Sequence, residues 1–327
     1  MKDGGLRAWS RALDWLVRRP NCPSYSHLKG SPNVDHAVDA LQQSFKDGRL
    51  RAEYSDLAFR KVARRIMASR ILFVPGAIGR SKDSSFRVKQ DAELAEQVRE
   101  LKSEGFEAEI AQVDAHASVD HNGRVLARLL EQRHCPTWIV TYSKGGLDTL
   151  EALVSFPEVR RFVEGWIAFQ SPFYGSPVAD VAGGRTGSRQ INGAAMRVMG
   201  ANLQAVSDLN TAARSQYMDR NALRIAQLAR DVPVMCVGSV LQSLRWQTGR
   251  WPTGRWMNDL GLGNDGVVPL NSTMLPEARF LKVEGWAHGH MSPRQLLVPN
   301  QYAHCDVLKA LFAFMLGERQ KRLEVAA

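Results

Sequence analysis

From residue 71 onward, short apolar runs alternate with helix-length amphipathic segments, the pattern of strands joined by crossover helices, and this predicts a parallel sheet. The strands are expected at Ile71 to Val74, Glu107 to Val113, Trp138 to Thr141, Gly165 to Gln170, Val232 to Val237 and Arg279 to Glu284. Helices are expected over Asp91 to Ser103, Val125 to Gln132, Leu147 to Ser155 and Cys305 to Leu316. The fold class is α/β, a mainly parallel central sheet flanked by helices.

Two stretches fall outside that alternation. Residues 1 to about 70 read as a helical N-terminal extension: Leu6, Trp9, Leu13 and Leu16 recur at helical spacing, and Ser55 precedes a periodic stretch from Leu57 to Met67. Its Arg-rich, Trp-containing start could touch a membrane surface or pack on the main domain. A segment of about 181–230, Gly-rich and then helical, is too long for an ordinary connection and is expected to form a cap on the domain spanning 71–327. A five-residue repeat, Arg245-Trp246-Gln247-Thr248-Gly249 and Arg250-Trp251-Pro252-Thr253-Gly254 followed by Arg255-Trp256, carries no strand or helix signal. It reads as a duplicated loop whose tryptophans half-cover the core, or as a rim that grips substrate, lipid or single-stranded nucleic acid.

The chain has 327 residues, of which 44% are hydrophobic and 23% charged, enough to bury one large core with decorations. The net charge of +10 favours association with anions, but the basic residues alternate with acidic ones and read mostly as solvated helix faces. Four cysteines, Cys22, Cys135, Cys236 and Cys305, lack CxxC spacing, which gives neither a zinc pattern nor a redox pair. Neither metal nor cofactor is expected. Charges interrupt the first residues every few positions, so a secretory segment is not expected there and the natural compartment is the cytoplasm.

The chemical signal begins at Trp138-Ile139-Val140-Thr141-Tyr142-Ser143-Lys144-Gly145-Gly146-Leu147, an apolar strand that turns into an amphipathic helix. A sharp strand-to-helix turn projects a serine hydroxyl above a sheet and needs small neighbours where strand and helix nearly touch. Gly145 supplies one; Thr141 stands where the other glycine is usual and implies some widening between strand and helix. Ser143 is therefore the candidate nucleophile, the alternative being a serine that merely caps the helix.

A serine nucleophile needs a base, and the base an acidic partner to fix its tautomer, here following in the chain order serine, acid, histidine. Asp265, in the turn-rich Gly263-Asn264-Asp265-Gly266-Val267-Val268-Pro269, is the candidate acid, with turn formation as its other explanation and Asp259 as the alternative acid. His288, just past the last expected strand, is the preferred base; His290 and His304 are alternatives. For the oxyanion, the backbone N–H of Lys144 supplies one donor, and the second is expected from Phe73-Val74-Pro75-Gly76-Ala77-Ile78-Gly79, with Ala77 preferred and Ile78 next. This glycine-rich turn lacks the Lys-Ser/Thr ending of a phosphate loop.

These segments in this order, with Gln170-Ser171-Pro172 and Gly175-Ser176-Pro177-Val178-Ala179-Asp180 between them, resemble bacterial lipases and related α/β-hydrolases over roughly residues 70 to 316. The resemblance implies an α/β-hydrolase fold, a Ser143, Asp265, His288 triad acting on carboxylic esters through an acyl enzyme, and a mobile lid made by about 180 to 230. The implied partner is a small-molecule or lipid-like ester, with peripheral membrane contact open and no nucleic acid. Acyl transfer, thioester cleavage and a non-catalytic binding module on the same fold are the other readings. Departures from the family pattern are Thr141 in the elbow and Pro75 where many lipases have histidine.

Overall fold

The computed structural model describes residues 25–30, 38–39, 41–42, 56–76, 85–183, 203–241, 252–288 and 304–326. In chain order they form α1 (Asp56–Met67), β1 (Arg70–Val74), α2 (Ser85–Ser103), β2 (Glu107–Ile110), α3 (Val119–Arg133), β3 (Thr137–Tyr142), α4 (Lys144–Ser155) and β4 (Val163–Phe169). There follow α5 (Pro177–Ala182), α6 (Leu203–Asp208), α7 (Thr211–Arg220), α8 (Ala222–Asp231), β5 (Val234–Val240), α9 (Pro252–Asp259), β6 (Arg279–Glu284) and α10 (His304–Ala326). The six strands make one sheet in the order β2-β1-β3-β4-β5-β6, every pair parallel.

The central strands are apolar at nearly every position because both of their faces are covered, as parallel sheets require. Alternation divides them between two cores. Ile71 and Phe73 of β1 pack with Phe59 of α1, Leu101 of α2 and Leu308 and Phe312 of α10. Leu72 and Val74 face the other way, among Leu126 and Leu130 of α3 and Leu150 and Leu153 of α4. The helices α3 and α4 approach closely at Gly123, where an added Cβ would lie 2.6 Å from Glu151 Cγ and 3.2 Å from the Ala152 backbone nitrogen.

The chain leaves β1 for β2 on one side and returns to the other side of β1 for β3. That reversal opens a crevice beyond the carboxyl ends of β1 and β3, the place where open α/β sheets hold their ligands. Pro75 and Gly76 follow β1 there, and Ser143 follows β3.

Several element boundaries differ from expectation for identifiable reasons. Helix α3 begins well before Val125, because Ser118 Oγ accepts the His121 N–H at 3.1 Å and caps a polar first turn that hides the periodicity. Strand β5 starts beyond Pro233, which has no N–H to give a ladder, and runs on to Val240. Strand β4 stops at Phe169 because Gln170 adopts a left-handed backbone, φ 49°. Strand β2 ends at Ile110 and not at Val113, while α2, α4 and α10 begin or end beyond the expected limits. The repeat expected to lack a helix contains α9: Pro252 suits a first helical turn, and Trp256 and Met257 are buried.

The remainder of the repeat, residues 1–24, much of 31–55 and residues 184–202 lie outside the described residues, so the expectations for the extension and the start of the cap are only partly visible. Among the described residues no helix is long and apolar enough to cross a membrane. Gly123→Leu should force α3 and α4 apart and lower unfolding stability by about 1–3 kcal/mol, read as a reduced urea midpoint at unchanged m-value.

Candidate active site

Ser143 joins β3 to α4 with φ 50° and ψ −123°, a conformation that an L-residue holds only when its surroundings over-determine it. Its backbone N–H donates to Phe169 O at 3.0 Å, anchoring the turn to the end of β4. Its side chain makes no helix-capping bond, which removes the reading of Ser143 as an ordinary cap. The helix reaches the strand ends through two glycines. A Cβ at Gly145 would stand 2.4 Å from Val74 O, and one at Gly146 would stand 2.1 Å from Ser171 Oγ. Thr141, in place of a glycine, is buried with its hydroxyl accepting from Trp166 Nε1 at 3.0 Å, so the closeness that the turn needs comes from Gly145 and Gly146.

Ser143, Asp265 and His288 are brought together. His288 Nε2 lies 3.0 Å from Ser143 Oγ, and Nδ1 lies 2.9 Å from Asp265 Oδ2. With its proton on Nδ1, the ring donates to Asp265 and accepts the serine hydroxyl proton at Nε2. The other carboxylate oxygen, Oδ1, accepts the N–H groups of Val267 at 3.0 Å and Val268 at 2.7 Å, so Asp265 both makes the turn and holds the histidine. The His288 N–H donates to Asp265 O at 2.8 Å, which fastens the two loops together by backbone as well as side chain. All three residues are buried.

The loop bearing Asp265 is fixed by Asn264 within it and by Ser176 and Thr253 from outside it. Asn264 Nδ2 donates to Leu262 O, Gly254 O and Asn258 Oδ1, and Asn264 Oδ1 accepts the Gly266 N–H. Ser176 Oγ donates to Val267 O at 2.5 Å, and Thr253 Oγ1 to Gly266 O at 2.6 Å. The alternative acid Asp259 is exposed on α9. The alternative bases fall outside: His290 is not among the described residues, and the side chain of His304, which opens α10, is not described either.

Gly76 lies close against the serine, where an added Cβ would stand only 3.0 Å from Ser143 Cβ. Ala77 and Ile78 lie outside the described residues. Lys144 is the first residue of α4, and the first N–H groups of a helix have no intrahelical acceptor. Among the described residues there is no group of three or more His, Cys, Asp or Glu that could hold a metal ion.

Beneath the turn lies an ion pair that the sequence reading missed. Lys144 Nζ donates to Asp148 Oδ1 at 2.7 Å with both side chains buried. Asn122 of α3 donates to Asp148 Oδ2 at 2.9 Å and to Asp114 O at 2.8 Å. Burial raises the Asp148 carboxyl from 3.8 to about 6, against the charge of Lys144 and the hydrogen bonds from Lys144 and Asn122 that pull it down.

Lys144→Met keeps the backbone N–H but leaves a buried carboxylate without its counter-charge. It should cost about 3–5 kcal/mol of stability at pH 7, most of it recovered when Asp148→Leu is added, as measured by denaturant unfolding. Because the folded carboxyl titrates above its unfolded value, the folded chain holds the extra proton between 3.8 and about 6. The wild type should therefore gain a stability contribution as pH falls through that window, and Asp148→Asn should lack it.

No family model matches the chain, and no curated protein matches it. Solved structures do. The mature lipase BlEst2 of Bacillus licheniformis is 23% identical with a TM-score of 0.56, over 68% of this chain and 86% of that one. Its propeptide form gives the same identity and TM-score over 76% of this chain and 50% of that one. The metagenomic carboxyl esterase MGS0156 is 18% identical, also with a TM-score of 0.56, over 77% of this chain and 76% of that one. With its parallel sheet and the serine turn after β3, the chain has the α/β-hydrolase fold found in these bacterial lipases and esterases.

Proposed function

We propose that the protein hydrolyses carboxylic esters, with Ser143 as nucleophile, His288 as general base and then acid, and Asp265 as the group that fixes and stabilises the imidazolium. The observation that carries this reading is the continuous hydrogen-bonded chain from Asp265 through His288 to a serine held in a strained turn. The similar solved structures, a lipase and a carboxyl esterase, support the same substrate class.

In this mechanism Ser143 Oγ attacks the ester carbonyl carbon while its proton passes to His288 Nε2. The charge that develops on the carbonyl oxygen meets the N–H of Lys144 at the start of α4 and that of Ala77 beyond Gly76. Collapse breaks the bond to the alcohol, which leaves with the proton from His288. Water, deprotonated by the same imidazole, then frees the acid and restores Ser143. The segment of about 181–230 is read as the cap past which substrate enters, and a lipid-like acyl chain is the substrate type that such a cap suits. Passing the acyl group to another alcohol or cleaving a thioester shares the first half of this cycle, and product analysis with competing alcohol acceptors separates those outcomes.

The test is a ladder of p-nitrophenyl esters from acetate to long-chain acids, assayed with wild type and Ser143→Ala. The substitution should lower kcat/KM by about 10⁴-fold or more while leaving the fold intact, and the chain-length optimum sizes the acyl site. Equal rates in the two proteins, or a folded wild type that cleaves no member of the ladder with or without detergent micelles, would refute the proposal.

A further inference from the structure

Among the described residues only four non-glycine positions have positive φ: His134, Ser143, Gln170 and Glu277. Two of the four, Ser143 and Gln170, meet at the same place, since Phe169 O, which receives the Ser143 N–H, belongs to the residue immediately before Gln170. Strained residues persist where the surroundings hold them, and the contacts of Gln170 show what holds it.

Gln170 is buried, and its backbone N–H donates to Val237 O at 2.8 Å, so the residue is pinned to β5 although it has left the strand conformation. Its side-chain Nε2 donates to Ser239 Oγ at 2.5 Å and to Ala287 O at 3.0 Å. Ala287 directly precedes His288, and the peptide unit between them is thereby held at both ends. Gln170 takes its carbonyl, and Asp265 O takes its N–H at 2.8 Å. The plane of that peptide sets the direction in which the His288 side chain leaves the backbone. The loop is fastened once more upstream, where the Gly285 N–H donates to Val240 O at 2.7 Å.

The reach matters. Neighbouring strands lie about 4.8 Å apart, and Gln170 must span from the end of β4 past β5 to the loop that follows β6. A left-handed backbone breaks the strand alternation at this point, and a two-methylene amide supplies the length and both donors.

We infer that Gln170 is a positioning residue for the reaction proposed above: by bridging the end of β4 to Ala287 O, it holds the His288 loop where Nε2 meets the Ser143 hydroxyl. This inference rests on the ester-hydrolase reading and deepens it. Gln170 touches neither substrate nor the reacting atoms; it acts through the 287–288 peptide.

Gln170→Asn and Gln170→Gly test it, because both residues tolerate the left-handed backbone while neither carries the amide to Ala287 O. Both variants should keep a melting temperature within about 4 °C of wild type and a KM within about two-fold, while kcat falls by about 10–100-fold, the scale of a misplaced catalytic group. A residue with a merely structural role would change activity only in proportion to folded protein. Retention of wild-type kcat in the folded variants, or a loss of activity that simply follows loss of folded protein, would overturn the inference. Ser143→Ala run beside them separates the two ideas. Activity that depends on Ser143 but not on Gln170 refutes the positioning role alone, whereas wild-type hydrolysis that does not depend on Ser143 refutes the ester-hydrolase reading and the inference with it.

Discussion

The backbone of Ser143, held at φ 50° and ψ −123°, is the constraint on which the rest of the site depends. Such a conformation is unfavourable in isolation, and it is maintained by contacts from the ends of two neighbouring strands and from the turn residue that follows one of them. The end of β4 receives its N–H, the end of β1 presses against Gly145, and Gly76 lies close against the serine. A parallel sheet brings all these carboxyl ends to one edge, and the reversal of strand order between β1 and β3 leaves room there. The location of the site is thus a consequence of sheet topology before any catalytic side chain is considered.

The polar groups gathered at that edge are kept by a second set of interactions. Asp265 spends one oxygen on two backbone N–H groups and the other on His288, which leaves a buried carboxylate fully engaged. On the opposite side of the turn, Lys144 and Asp148 bury an ion pair whose remaining acceptor is filled by Asn122. A buried pair of this kind is weak evidence for stability, but through Asn122 it ties the first turn of α4 to α3. The apolar cores on the two faces of the sheet supply the stability that these polar arrangements draw on.

Much of this was legible in the residue order. Apolar runs marked the central strands, since a parallel strand covered on both faces has no polar side to disguise it, while the edge strands β2 and β6 mix charged with apolar residues. Ser143 was visible as a strand-turn-helix junction, and Asp265 and His288 as the candidate acid and base that follow it; the structure puts these three side chains in contact. Gln170 was not visible, because an amide ending an apolar strand gives no sign of a left-handed backbone or of a partner 117 positions later. The Lys144 and Asp148 pair was equally hidden: at i and i+4 it has the spacing of a solvated surface pair, and only the packing of α3 over α4 makes it a buried one. Helix α9 was concealed by its composition of Gly, Arg and Trp, and takes its stability from burying Trp256 and Met257.

The central claim is that Ser143 is an activated nucleophile, and the most direct measurement is the site of attachment of a fluorophosphonate probe, located by peptide mass spectrometry. The account predicts one adduct per chain, on Ser143, whose formation slows strongly in His288→Ala and Asp265→Ala proteins that remain folded. A folded wild type that takes up no probe, or an adduct on another residue, would contradict it.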